Sequence, residues 1–170
     1  IYHKNLKNSG VKIFRSQAKL LSPNSVELEG GIVCHSKIIL IATGGQPFVP
    51  NFIGNEYAIT SNEVFELPKL PTRMLIVGGG YIASEFAGIF NGMGVKITQI
   101  YRGSKLLRGF DNEIREHLMN SMLDRGIGIV CGVNVQKCEN VRGNLLVSLS
   151  DGSKINTDCL LIATGRRPNT

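Results

Sequence analysis

Apolar and polar positions along this chain follow two different periods. Residues 73–77, Arg73-Met74-Leu75-Ile76-Val77, form a short apolar run that leads straight into Gly78-Gly79-Gly80, which predicts a buried strand ending in a tight turn. From Tyr81 to Met93 the pattern becomes helical. Ile82, Phe86, Ile89 and Phe90 recur on one side, while Ala83 and Ala87 make a small-residue stripe that lets a helix approach a sheet closely. Gly94 ends that helix, and residues 95–100 then alternate apolar and polar as a pleated strand does. The periods predict one βαβ unit.

Further along, Asp111 is placed to cap a second helix running through Arg125. Glu113 and Glu116 lie near its positive end, Ile114, Leu118 and Met122 lie on one face, and Gly126 is the stop. Residues 127–131 supply a third strand. Residues 133–155 alternate around Arg142-Gly143-Asn144 and Ser150-Asp151-Gly152, the pattern of antiparallel hairpins. The fold class expected is α/β and Rossmann-like, a parallel βαβαβ sheet with an antiparallel β-meander. Ahead of it, Leu67-Pro68-Lys69-Leu70-Pro71 reads as a linker. An internal echo brackets the whole: residues 37–44 (Lys37 through Ile41-Ala42-Thr43-Gly44) resemble residues 158–165 (Asp158 through Ile162-Ala163-Thr164-Gly165). Each copy reads as a buried strand that delivers Ala-Thr-Gly to a surface turn.

Composition narrows the function. With 42% hydrophobic and 19% charged residues, the 170-residue chain is neither a charged disordered tail nor a membrane span, so a cytoplasmic globular protein is expected. Twenty glycines suggest close backbone approach to a ligand. The net charge of +6 suits an anionic partner such as nucleic acid, acidic lipid or a phosphorylated small molecule. Cys34, Cys131, Cys138 and Cys159 show neither metal nor CxxxxC spacing and read as small buried hydrophobes, while His3, His35 and His117 read as surface or structural; no metal site is expected. The start at Ile1, without an initiator Met, is expected of a piece of a longer chain.

Gly78-x-Gly80-x-x-Ala83 stands where a dinucleotide fingerprint must stand, between a strand and a helix. Gly78 permits the turn, Gly80 admits a pyrophosphate to the backbone, and Ala83 allows close helix packing; a purely structural glycine turn is the alternative. An NAD site places an acid at the end of the next strand. Here Tyr101 stands there, followed by Arg102, Lys105 and Arg108, cations that favour a 2′-phosphate and hence NADP, unless they are only a solvated basic loop.

These residues resemble the pyridine nucleotide-disulfide oxidoreductases, and within them the glutathione reductases. The likeness runs from Lys37 to Thr170 and is most specific in residues 78–88 and in residues 101–111. It implies NADPH and FAD as cofactors, with NADPH held by Gly78, Gly80, Tyr81, Ile82, Ala83, Glu85, Arg102, Arg108, Ala163, Gly165 and Arg166, and with Thr43 and Gly44 near FAD. Tyr81 is implied to cover the flavin until nicotinamide displaces it, and Glu85 to pair with a lysine that these residues do not include. The implied organisation is a partial FAD-binding segment over residues 1–50, an NADPH-binding domain over 51–165, and a return to the FAD-binding domain over 166–170. Residues 2–7 would be the tail of a helix.

The implied parent is a homodimeric flavoenzyme passing electrons from NADPH to FAD, to a redox dithiol and on to glutathione disulfide. The redox CxxxxC and a catalytic histidine do not occur in these 170 residues, so the segment alone is expected to be inactive and to depend on the rest of the parent chain. Trypanothione reductases share the Tyr-Arg-Gly and Leu-Arg-Gly-Phe-Asp wording and stay open as an alternative. A non-catalytic NADP-sensing module leaves the paired Ala-Thr-Gly segments without a reason. A nucleic-acid binder would show aromatic interleaving that is absent, so neither nucleic acid nor membrane is expected as partner.

Overall fold

The computed structural model describes residues 1–169; Thr170, the last residue of the expected return segment, lies outside them. The chain divides into two compact units, Ile1–Thr43 and the portion from Gly44 onward.

The first unit opens with α1 (Tyr2–Asn8), where a helix tail is expected, and continues as a meander of β1 (Ala18–Ser22), β2 (Ser25–Leu28) and β3 (Val33–His35). All pairings are antiparallel. The expected strand over residues 37–44 does not form, and Ile38 and Leu40 are 84% and 86% exposed. The cause is local. The Asn24 side-chain amide donates to the carbonyls of Ser36 (3.0 Å) and Lys37 (3.1 Å), and Ser36 Oγ donates to the Ile38 carbonyl (2.8 Å). The carbonyls of Ser36, Lys37 and Ile38 are thereby taken up by side chains, and without a ladder partner the rest of the run stays irregular.

The second unit carries the predicted α/β core. β5 (Arg73–Val77), α2 (Tyr81–Gly92), β6 (Lys96–Tyr101), α3 (Asn112–Asp124) and β7 (Gly128–Cys131) follow one another as parallel strands and crossover helices. A meander comes next, β8 (Val135–Val141), β9 (Asn144–Leu149) and β10 (Lys154–Thr157). β11 (Cys159–Ile162) returns beside β5, so the second Ala-Thr-Gly segment completes a parallel sheet ordered β11-β5-β6-β7. β4 (Gly45–Pro47) and β12 (Arg166–Pro168) form an antiparallel ribbon.

Three layers result because side chains on the parallel strands alternate. Met74, Ile76, Ile97 and Leu161 face α2 and α3, whereas Leu75, Ile100, Leu160 and Ile162 face the meander; all are essentially solvent-free. Ala83 and Ala87 are fully buried and let α2 lie close to the sheet, as expected. Asp111 caps α3, its carboxylate accepting from the Glu113 and Ile114 N–H groups. Two helical positions depart from expectation. Ile89 and Ile114 are exposed because each sits at the margin of its helix's inner face, outside the arc that meets the sheet. Of the cysteines expected in the interior, Cys138 and Cys159 are buried and Cys34 and Cys131 only half-buried. Asp158 joins β11 to β5: its carboxylate meets the Arg73 guanidinium at 2.7 Å and accepts the Arg73 N–H at 2.9 Å, which holds the carboxyl below its ordinary range. Among the described residues no helix is long and apolar enough to cross a membrane.

Candidate functional site

Sheet order sets the site. β6 lies on one side of β5 and β11 on the other, so three strand ends stand side by side: Tyr101-Arg102, Gly78-Gly79-Gly80, and Ala163-Thr164-Gly165. A cleft of about 550 Å³ crosses these ends and is also lined by Phe48, Pro50, Asn51 and Phe52 and by Val133, Asn134 and Val135. Open α/β sheets place ligands here, outside the carboxyl ends of the strands.

The glycine turn is built around its neighbours. Gly78 has φ +150°, and a Cβ there would run into the Ala163 carbonyl oxygen. Its N–H donates to the Ile100 carbonyl (2.9 Å) and its own carbonyl accepts from Gln99 Nε2 (2.9 Å), so the turn is tied to β6 on both sides. Gly79 and Gly103 each leave room for the Tyr101 ring, which a Cβ at either position would meet. At Gly80 a Cβ would meet nothing within 4 Å, so the backbone lies open. α2 starts at Tyr81 with no side-chain cap and no acidic residue in its first turn. Its first N–H groups, lacking carbonyl partners within the helix, present partial positive charge to the cleft.

The basic loop after β6 is held firmly. Leu107 N–H donates to the Gly79 carbonyl at 2.6 Å, with Leu107 itself at φ +52°. Arg115 of α3 reaches back to the carbonyls of Leu106 (Nε, 2.7 Å) and Lys105 (Nη2, 2.8 Å). Arg102 and Arg108 line the cleft, and among the described residues neither enters an ion pair. Lys105, expected to join them, does not: it pairs with Glu116 of α3, whose carboxyl it holds below the usual range. Tyr101 ends β6, and the described residues that line the cleft include the two unpaired guanidinium groups of Arg102 and Arg108 and no carboxylate.

The other expected residues separate into groups. Gly78, Gly80, Tyr81, Ile82, Ala163 and Gly165 line the cleft. Ala83 is buried under the turn and acts through packing. Glu85 is exposed on α2 outside the cleft lining. Arg166 also lies outside it, its guanidinium donating to Ser61 Oγ (3.3 Å) and to the Gly45 carbonyl. Thr43 ends the first unit, and Gly44 opens the second with its carbonyl accepting from Asn169 N–H (3.0 Å).

Sequence reasoning did not find Gln99 or the walls at 48–52 and 133–135. Gln99 had a signal: it shares a strand face with Ile97, yet is polar. It is fully buried, and its Oε1 has no hydrogen-bond partner. The walls had none, being loops and the first residue of β8 brought in from distant sequence. Elsewhere, burial pushes the Cys159 thiol up to about 11 and also raises Cys131 and Cys138, which keeps these three as thiols at neutral pH. Among the described residues no cluster of His, Cys, Asp and Glu could hold a metal.

Comparison with known proteins adds a frame. The family model described as "Pyridine nucleotide-disulphide oxidoreductase" matches residues 2–170. A glutathione reductase of Burkholderia cepacia is 46% identical over 170 residues, covering 100% of this chain and 38% of that protein. A trypanothione reductase of Trypanosoma congolense is 38% identical over 173 residues, covering 95% and 35%. Among solved structures, the HOCl-induced flavoprotein disulfide reductase RclA from Escherichia coli superposes with a TM-score of 0.84 at 30% identity, covering 99% of this chain and 40% of that one. The chain thus spans no more than 40% of the length of these proteins.

Proposed function

We propose that this chain, which belongs to the pyridine nucleotide-disulphide oxidoreductases, is the NADPH-binding portion of a flavin-dependent disulfide reductase resembling glutathione reductase. The observation that carries this reading is the pair of unpaired guanidinium groups, Arg102 and Arg108, at the end of β6. The cleft fits the nucleotide in three further respects: Gly78 is a position only glycine fills, Gly80 leaves backbone open, and the N-terminus of α2 carries no competing acid.

In this reading the pyrophosphate takes the N–H groups at the start of α2, and Arg102 and Arg108 take the 2′-phosphate. Tyr81, exposed at the mouth of the helix, gates access, and Ile82, Ala163 and Gly165 shape the cleft floor. NADPH, when bound, supplies a hydride that in the parent reaction serves reduction of FAD, a dithiol and finally glutathione disulfide. What these residues do is bind, orient and shield the nucleotide. Glu85 and Arg166 stand one step outside the cleft, and we assign them to contacts made when nicotinamide reaches the flavin.

The domain division proposed is a partial FAD-binding segment over residues 1–50, the NADPH-binding domain over 51–165 and a return from 166. Thr43 and Gly44 are assigned to the FAD side, and FAD is proposed for the parent on the resemblance alone. The parent is taken to be a cytoplasmic homodimer, and its remaining chain to supply strand neighbours for residues 37–43. The four cysteines lack CxxxxC spacing, so this segment alone leaves disulfides unreduced. A trypanothione-type substrate is the second reading, supported by the trypanothione reductase likeness.

The test is a pair of dissociation constants for the chain, measured by nicotinamide fluorescence. Charge-assisted hydrogen bonds contribute roughly 1.5–3 kcal/mol each, so NADPH is expected to bind about a hundredfold or more tighter than NADH. Arg102→Glu narrows the gap. Equal constants for the two nucleotides in the unmodified chain overturn the assignment.

A further inference from the structure

We propose that Phe48 is the wall against which the nicotinamide half of the bound nucleotide packs, and that Arg167 clamps it there. The inference rests on the dinucleotide reading above and adds to it a residue that neither the fingerprint nor the family likeness singles out.

Topology gives the direction of the ligand. The glycine turn and the start of α2 lie at the end of β5, in the middle of the cleft, and receive the pyrophosphate. Arg102 and Arg108 lie on the β6 side and receive the phosphorylated ribose with its adenine. A dinucleotide has two halves joined at the pyrophosphate. Its second ring therefore leaves toward the only other flanking strand, β11, and reaches Gly165.

At that end the chain holds Phe48 by its backbone at two points and by a guanidinium over its ring. Phe48 N–H donates to the Gly165 carbonyl (2.9 Å), and the Phe48 carbonyl accepts from Thr164 Oγ1 (2.7 Å). The Arg167 guanidinium lies over the ring, 3.7 Å from its centroid. Phe48 nonetheless stays half-exposed and lines the cleft. A ring on a pinned backbone with a guanidinium over one face has fewer conformations to lose on binding, so it offers stacking surface at reduced entropic cost, which is what a positioning wall requires.

Two probes separate this wall from a general packing role. NADPH carries both halves; adenosine 2′,5′-bisphosphate carries only the phosphate-bearing one. Phe48→Ala is expected to weaken NADPH about fivefold while leaving the bisphosphate within about twofold. Phe48→Tyr should restore NADPH binding. Arg167→Gln, an exposed substitution that spares the fold should Phe48→Ala melt early, is expected to weaken NADPH about twofold and the bisphosphate not at all. If Phe48→Ala weakens both probes alike, or neither, while the unmodified chain binds both, the Phe48 assignment is wrong and the nucleotide site stands. If the unmodified chain binds neither probe, both readings are overturned.

Discussion

Residues 37–44 and 158–165 share the ending Ile-Ala-Thr-Gly and nearly the same apolar run before it, yet only the second is a strand. In the second, Leu160 and Leu161 are fully buried and every residue from Cys159 to Ile162 is in register with β5. In the first, Ile38 and Leu40 stand in solvent. Local preference is therefore not what makes the strand. A run of apolar residues becomes β-structure when a neighbour accepts its ladder and two layers cover its faces. β11 has β5 beside it, the helices on one side and the meander on the other.

Hydrogen exchange should show the contrast at its largest. Amides of 159–162 are expected to be protected on the order of a thousandfold or more over those of 38–42, which have no ladder; comparable protection would mean the first copy has a partner strand after all. Next comes truncation. Leu160→Ala should cost about 3 kcal/mol in urea unfolding, whereas Leu40→Ala should change stability by less than about 0.5 kcal/mol. The smallest effect concerns the residue that opens each copy. Asp158→Asn removes the carboxylate that Arg73 engages and should cost about 1 kcal/mol near neutral pH, the pair being partly exposed. Because the folded-state pKa is lowered, this contribution is complete above the ordinary aspartate value of about 3.9 and drains away as pH falls through the lowered one. Lys37→Gln, at a position that enters no ion pair among the described residues, should change stability by less than about 0.5 kcal/mol.

The same contrast explains what could be read from sequence. β5, α2, β6 and α3 were legible because each announces itself locally, through an apolar period, a capping Asp111 or a terminating glycine. The fingerprint turn and Arg102 and Arg108 were legible for the same reason. Residues 37–43 misled because their pattern is that of a strand, and the partner that decides the matter is not written in it. Lys105 misled because its carboxylate, Glu116, sits a loop away on α3. The Phe48 wall and the seat of the Tyr101 ring between Gly79 and Gly103 were hidden, since both arise from contacts across long stretches of chain. Gln99 could have been found, as the one polar side chain on an otherwise apolar strand face.

The bond from Leu107 N–H to the Gly79 carbonyl makes the basic loop and the glycine turn a single body. In the proposed reading the two anion contacts therefore share one backbone frame: a ligand that seats one phosphate on α2 meets a basic loop whose main chain that bond holds at a set spacing from the turn. In that reading affinity depends on how well the ligand's own span between phosphates matches the spacing of the loop from the turn. Losses from damaging the two grips together should fall short of the sum of the separate losses, because a ligand released from one end no longer reads the other.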